Sequence, residues 1–281
     1  MRIAVPFALA LAVTASMPAI ADDFAGDVPD LVWIDVGGAA NDVTTDITLR
    51  GPSGIGATVN LEDVFDLPGN KTTARMFGTV RISPKRRWID FGYVDISRSG
   101  TRVLDEDVEF GDYTYHAGGQ ATAKFGTQFM YAAFRYDFLH EEKVRISGSA
   151  GLTFIRLVLS VKGESGFVTD ENGAPVTNDF ERKGTGVAPV PMVGLNLDWA
   201  LTRRLVVRTY SRFFKINVDA FSGSLNENGI RLNWYFVKNF GLGLGYDRTH
   251  LDMKELDVGG GKIMKAEYTV NGIGLFANLA F

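Results

Sequence analysis

The chain has 281 residues, no cysteine, 32 glycines and a formal net charge of −4 at pH 7. Without cysteine it has neither disulfides nor thiol chemistry, and the mild acidity, with no basic stripe, argues against a nucleic-acid partner. Beyond the first residues no apolar run approaches the ~18 residues that a transmembrane helix needs, so a membrane crossing would have to use strands.

The chain begins with Met1-Arg2, an apolar run from Ile3 to Val13 and an A-x-A site at Ala19-Ile20-Ala21. That pattern predicts a cleaved signal peptide over 1–21. An acidic lead covers 22–30. From 31 to 281 the pattern is one of strands. The first runs from Leu31 to about Leu49, alternating Val32, Ile34 and Val36 with Trp33, Asp35 and Gly37. A long connection over 51–71 follows, with room for a small hairpin. The second strand, Thr72 to Ser83, turns at Pro84-Lys85-Arg86 into a third that reaches about Leu104 and whose phase blurs at Asp95, at either a bulge or a rise out of the membrane. A connection near 105–115 leads to a fourth strand, 117–139. The turn at 140–143, with His140 in solvent, gives a fifth, 144–161, in which Arg156 interrupts the alternation. Residues 162–185 read as a long polar loop. Strands six (187–201) and seven (205–221) follow, then a hairpin at Ser222-Gly223-Ser224, an eighth strand over 225–237 and a ninth from Phe240. A last loop covers 252–261.

The closing segment, EYTVNGIGLFANLAF, sets Ile273, Leu275, Ala277, Leu279 and Phe281 on one face and Gly272, Gly274, Phe276, Asn278 and Ala280 on the other. Successive strand residues point to opposite faces. Ten such strands, with connections that mostly alternate long and short, predict an all-β fold: a closed antiparallel up-and-down transmembrane β-barrel. Both chain ends would then lie on the periplasmic side.

Charge separates the two faces. Arg75, Arg81, Arg135, Arg145, Arg208, Arg212 and Arg231 share one set of faces with Asp35, Asp90, Asp137, Asp198 and Asp247, and the opposite faces are nearly free of charge. An arginine facing lipid costs ~2–4 kcal/mol at the midplane, so these twelve residues are expected to line the lumen. Glycines on the same faces, among them Gly92, Gly194, Gly241, Gly243, Gly245, Gly272 and Gly274, free volume there. They allow either a narrow channel or room for the arginine chains and for strand curvature.

Sites of chemistry are sparse. His116 and His250 fall near outer strand ends, where a histidine–serine pair would suit lipid hydrolysis, but there is no G-x-S-x-G elbow. Gly241-Leu-Gly-Leu-Gly245 lies inside a strand, and Gly259-Gly-Gly-Lys262 is followed by Ile263 rather than Ser or Thr, so neither is a nucleotide loop. The loop acids Asp170, Glu171, Asp179 and Glu181 lack the calcium-loop spacing. No cofactor, metal or catalytic residue is expected.

The leader, the dyad strands, the loop alternation and the terminal Phe281 together resemble the small bacterial outer-membrane barrels of the OmpA-membrane-domain and OmpW-like type. The resemblance implies residence among outer-membrane lipids and lipopolysaccharide. It also implies delivery by periplasmic chaperones and insertion by the barrel-assembly machinery, with Phe281, Leu279, Leu275 and Ile273 as the insertion signal. The expected function is a narrow pore for small polar or amphipathic solutes. The alternative is a plugged structural or surface-interaction barrel, and the third reading is an enzyme acting on lipid A or phospholipid through His116 or His250.

Overall fold

A computed structural model describes residues 31–50, 58–83, 86–110, 113–177, 180–218, 221–257 and 263–281. The predicted signal peptide and acidic lead lie outside the described residues, as do 51–57 of the first long connection.

In chain order the elements are β1 (Val32–Arg50), β2 (Thr58–Asn60), α1 (Leu61–Phe65), β3 (Asn70–Ser83), β4 (Arg87–Val103), β5 (Val108–Phe110), β6 (Tyr113–Tyr115) and β7 (Gln120–His140). They continue with β8 (Val144–Gly163), β9 (Val168–Asp170), β10 (Phe180–Ala200), β11 (Leu205–Val218), β12 (Phe221–Val237), β13 (Phe240–Asp257) and β14 (Ile263–Ala280). Ten long strands, β1, β3, β4, β7, β8 and β10 to β14, pair antiparallel with their neighbours in chain order. The ring closes where β1 meets β14, from Trp33 opposite Ala280 to Arg50 opposite Ile263. Val32 and Phe281 exchange backbone hydrogen bonds of 2.8 and 2.9 Å at the seam. Closure leaves no edge in the ring with unpaired backbone groups. The fold expected from the sequence, a closed ten-stranded up-and-down barrel, is the fold observed.

Four local expectations need correction. The hairpin placed at Ser222-Gly223-Ser224 is part of β12: Val218 already faces Phe221, and a bulge falls between Ser222 and Gly223. The extra residue of that bulge is Lys254 on β13, and Gly223 sits where a Cβ would come within 2.7 Å of the Asp252 carbonyl oxygen. The phase does not break at Asp95 or Arg156, because the β4–β7 and β8–β10 ladders run through these positions without a register shift. At Asp95 this removes the bulge and leaves the other expectation, a rise out of the membrane: what changes there is the surrounding medium. The loop expected over 162–185 is shorter, since β8 continues to Gly163 and β10 begins at Phe180. Finally, where a small separate hairpin was expected in the first connection, its described part carries one short strand and a helix. β2 pairs with β1, and α1 starts at Asn60, whose side chain accepts from the Asp63 amide at 3.0 Å. Glu62 and Asp63 in its first turn complement the helix dipole, and Asp66 ends it in the left-handed region (φ 54°). Leu61 and Phe65, four residues apart, share its buried face.

The girth has two storeys. Towards the short turns, the outward residues are apolar and exposed: Leu275 is 71% exposed and Ile273 62%. Tyr136, Phe138, Trp199, Trp234, Phe240 and Phe281 gather outward near the turns, and Tyr93, Phe154, Phe213 and Tyr246 lie further up. An exposed apolar band between aromatic girdles is the surface a bilayer covers. From Val144 to Phe154 such a strand rises about 25 Å at ordinary tilt. The next outward row is polar: Asp95, Gln128 and Arg156 stand side by side on β4, β7 and β8. Asn228, Arg248 and Asn271 do the same on β12, β13 and β14.

The interior inverts at the same height. Along β8 the inward residues are Arg145, Ser147, Ser149 and Thr153, then Ile155, Leu157, Leu159 and Val161. Above the lipid-facing band the barrel is therefore built like a soluble protein, apolar inside and polar outside. Its core joins Val43, Ile47, Phe125, Phe129, Leu251, Met264 and Tyr268 with Leu61 and Phe65 of α1, which fills the mouth. β5, β6 and β9 form a separate three-stranded sheet over that end, with Phe110, Tyr115 and Val168 buried against the core.

Candidate functional site: the charged lumen and the capped mouth

The lumen is lined by side chains that alternate inward from every long strand. At its base Trp33 and Trp88 stack with ring centroids 6.4 Å apart. The Arg145 guanidinium lies over both rings, at 5.5 and 5.2 Å, and Arg81 lies over Trp88 at 5.5 Å. Asp137 accepts from Trp88 Nε1 (2.8 Å) and Ser147 Oγ (2.6 Å) and lies 3.6 Å from Arg135. Arg135 also bonds Asp198 and Ser147. His140, expected in solvent, instead pairs its Nδ1 with Asp137 Oδ2 at 2.8 Å. The buried carboxylate draws the ring inward.

A second layer lies above. Arg231 bridges Asp35 (3.1 Å) and Asp247 (3.4 Å), and Arg75 reaches Asp247 at 3.1 Å. Asp247 also accepts from Tyr210 (2.6 Å), and Asp35 from Asn278 (2.7 Å). Asp90 accepts from Thr79 at 2.8 Å. Arg212 donates to the Tyr131 hydroxyl (2.9 Å) and lies 3.7 Å from Glu227. The structure thus places all twelve charged residues singled out in the sequence on the inner face, eleven of them buried and Arg208 14% exposed along its side chain. The sequence reading missed Glu227, which the period of two from Arg231 puts on the same face of β12.

Charges held this way are stable only as a set. A buried ion pair gains little over an apolar replacement, but removing one partner leaves an uncompensated charge. The lumen is also filled. A Cβ at Gly272 would come within 2.6 Å of Asn41 and 2.7 Å of Arg75, and one at Gly92 within 2.3 Å of the Tyr131 ring. These inner glycines make room for long side chains. Within the second charged layer Phe77, Tyr131 and Phe276 pack together, with Arg231 over the Phe77 and Phe276 rings and Arg212 over Tyr131, and the apolar core begins above it. The lumen retains cavities of about 60 and 30 Å³.

α1 packs into the mouth, with Leu61 and Phe65 in the core there. Glu62 pairs with the buried Arg98 and accepts from the Thr45 amide at 2.9 Å. A Cβ at Gly100 would lie 2.2 Å from the Phe65 carbonyl oxygen, so β4 is glycine where the helix end presses on it.

Among the described residues neither candidate histidine meets a serine. His116 bonds Asp107 through Nδ1 and Thr169 through Nε2, each at 2.9 Å, and so ties two outer connections together. The Ala117 amide, and then His116, hold the Asp107 carboxyl below the usual carboxylate range. His250 faces outward on β13 and bonds Thr269 at 2.9 Å. Among the described residues no group of three or more His, Asp or Glu side chains is arranged for a metal ion. Of the four residues expected to signal insertion, Ile273, Leu275 and Phe281 are exposed on the outward face and Leu279 is half-buried.

No protein-family model matches the sequence, and no curated protein does. Solved structures do match. The outer-membrane protease OmpT of Escherichia coli aligns with a TM-score of 0.55 at 10% identity, covering 90% of this chain and 97% of that one. The outer-membrane protein OprG of Pseudomonas aeruginosa aligns at 0.36 and 9% identity, covering 89% and 96%. The toluene transporter TodX of Pseudomonas putida aligns at 0.35 and 10%, covering 93% of each chain. At such identities the likeness is one of fold, and this chain has the fold of the small bacterial outer-membrane β-barrels.

Proposed function

We propose that the protein is an integral outer-membrane barrel whose lumen is closed, and that its working surface is the capped end beyond the bilayer. One observation carries this reading: every level of the interior is occupied. Among the described residues a tryptophan pair lies at the base, an arginine–carboxylate network interleaved with aromatic rings above it, and an apolar core around α1 at the mouth. A pore needs a continuous water path, and cavities of about 60 and 30 Å³ do not make one.

In this reading the short turns face the periplasm and the long connections face outward. The row with Gln128, Arg156, Asn228 and Arg248 meets lipopolysaccharide headgroups. The outward face of β14 with Phe281 is offered to the insertion machinery. The His116 link holds the exposed cap in one shape, suited to structural or surface contacts.

Planar-bilayer recording of the purified protein tests the closed lumen. No conductance steps above bare bilayer are expected. Reproducible steps that persist after α1 is locked in place would instead support the narrow-pore reading.

A further inference from the structure

The polar storey carries its cations unevenly. On β7, β8 and β10 its outward faces hold Lys124, Arg156, Lys162 and Lys183, all exposed, against one carboxylate, Glu181. Glu181 accepts from Ser160 Oγ at 2.6 Å. Two acids flank the group: Asp95 on β4 accepts from Gln128 Nε2 at 2.9 Å, and Glu164, just past β8, accepts from the Gln120 amide at 3.0 Å. Among the described residues Lys124, Arg156 and Lys183 form no ion pair. Across the ring, β13, β14 and β1 mix Asp42, Asp46, Asp252 and Glu267 with Arg248, Lys254 and Lys265. The basic face is therefore local to one side of the barrel.

The register gives that face a shape. Lys124, Ser160 and Lys183 form one row across the three strands, Gly126, Val158 and Thr185 the row below, and Gln128, Arg156 and Val187 the row below that. Strand spacing sets the two lysines about 10 Å apart at the backbone, and successive rows about 7 Å apart. The middle row is small. A Cβ at Gly126 would meet nothing closer than 3.7 Å, so packing does not demand a glycine there, and its missing side chain leaves a recess in the wall. Lys124 and Lys183 frame the recess from above and Arg156 from below, and Thr185 supplies a hydroxyl on its floor. Directly beneath stand Met130, Phe154 and Pro189, exposed on the lipid-facing band. Cations above and greasy side chains below follow the order of phosphate and acyl chain in a lipid.

We propose that this recess binds one phosphorylated glycolipid of the outer leaflet. Its phosphate lies over Gly126, Val158 and Thr185, between Lys124, Lys183 and Arg156, and an acyl chain runs down over Met130, Phe154 and Pro189. The guanidinium fork takes two phosphate oxygens, and the ammonium groups act as point charges on the others. Such a site rests on the reading that this storey stands just outside the bilayer, and it narrows the headgroup contact to one face.

The test uses the full-length barrel in a phosphate-free maltoside detergent, with native mass spectrometry counting bound lipid. The probes are bisphosphorylated lipid A, the same lipid with its phosphates removed, and inorganic phosphate as competitor. Two variants are matched in charge: K124Q with K183Q, and K254Q with K265Q from the opposite wall. Wild type is expected to hold one lipid A, which excess inorganic phosphate does not displace. Two cations that each contribute about fivefold near an anionic headgroup should make the first variant about twentyfold weaker. The second should bind as wild type does, and the phosphate-free lipid should bind wild type no better than lipid A binds the first variant. Equal binding of the phosphate-free lipid, equal loss in both variants, or displacement by inorganic phosphate would overturn the proposal. Quenching of Trp199 and Trp234, exposed on the band, by brominated phospholipids is read on the same proteins in vesicles. Quenching together with a failed lipid preference strikes the site alone, whereas its absence strikes the membrane reading itself.

Discussion

Leucine in place of Arg135 is expected to destabilise the barrel by about 3–5 kcal/mol, the range for breaking a buried ion pair from one side. Arg135 touches Asp198, Asp137 and Ser147 at once. Its loss strands two carboxylates between the tryptophan base and the second arginine layer. Urea unfolding of the refolded protein in micelles or vesicles reads the change directly. Adding Asp198→Leu is expected to recover a large part of the loss, because an apolar pair of similar volume removes the desolvation penalty together with the attraction. A single variant as stable as wild type would show that the charged layers do not act as a set.

Phe65→Ala is expected to cost about 3–5 kcal/mol, the range for emptying a large aromatic site in a packed core. Phe65 is fully buried, and with Leu61 it is the part of α1 that enters the mouth. The Glu62–Arg98 pair remains in the variant, so the loss isolates the apolar contribution. Limited proteolysis separates two forms of it: cleavage within 58–69 at native concentrations of urea means that α1 has left the mouth, whereas resistance with a lowered unfolding midpoint means that a cavity has opened around it. Unchanged stability and unchanged protection would contradict a packed plug.

The strands were legible because lipid enforces a period of two with no tolerance for a slip. Ile273, Leu275 and Phe281 against Gly272, Gly274 and Asn278 is a pattern with a single assignment once one face must be greasy. The charged lumen was legible for the same reason: lipid penalises Arg75 or Asp247 on the outer face. The upper storey was not. There the strands keep their period, but water replaces lipid outside and an apolar core replaces the polar lumen, so the pattern inverts and Arg156 looks like an interruption. Polar residues such as Lys162 and Glu181 then read as loop, although they stand directly opposite each other on β8 and β10. Helix α1 was hidden because five residues carry too little periodicity. Its signals were local: Asn60 as a cap, acids in the first turn, and Leu61 with Phe65 four apart. The His116 contacts bring together Asp107 and Thr169 from two separate connections, a pairing set by tertiary structure rather than by spacing.

The barrel changes medium at one height, with greasy side chains outward below it and inward above it. Because the chain has no cysteine, single cysteines can be placed along β8 at positions 146, 150, 152, 154, 156 and 162 and labelled with a nitroxide in vesicles. Collision rates with oxygen, which concentrates in lipid, and with a water-soluble nickel chelate report the medium at each site. Sites 146 to 154 are expected to favour oxygen, and 156 and 162 to favour nickel, with the crossover between Phe154 and Arg156. Nickel accessibility at 150 and 152 equal to that at 162 would contradict the account.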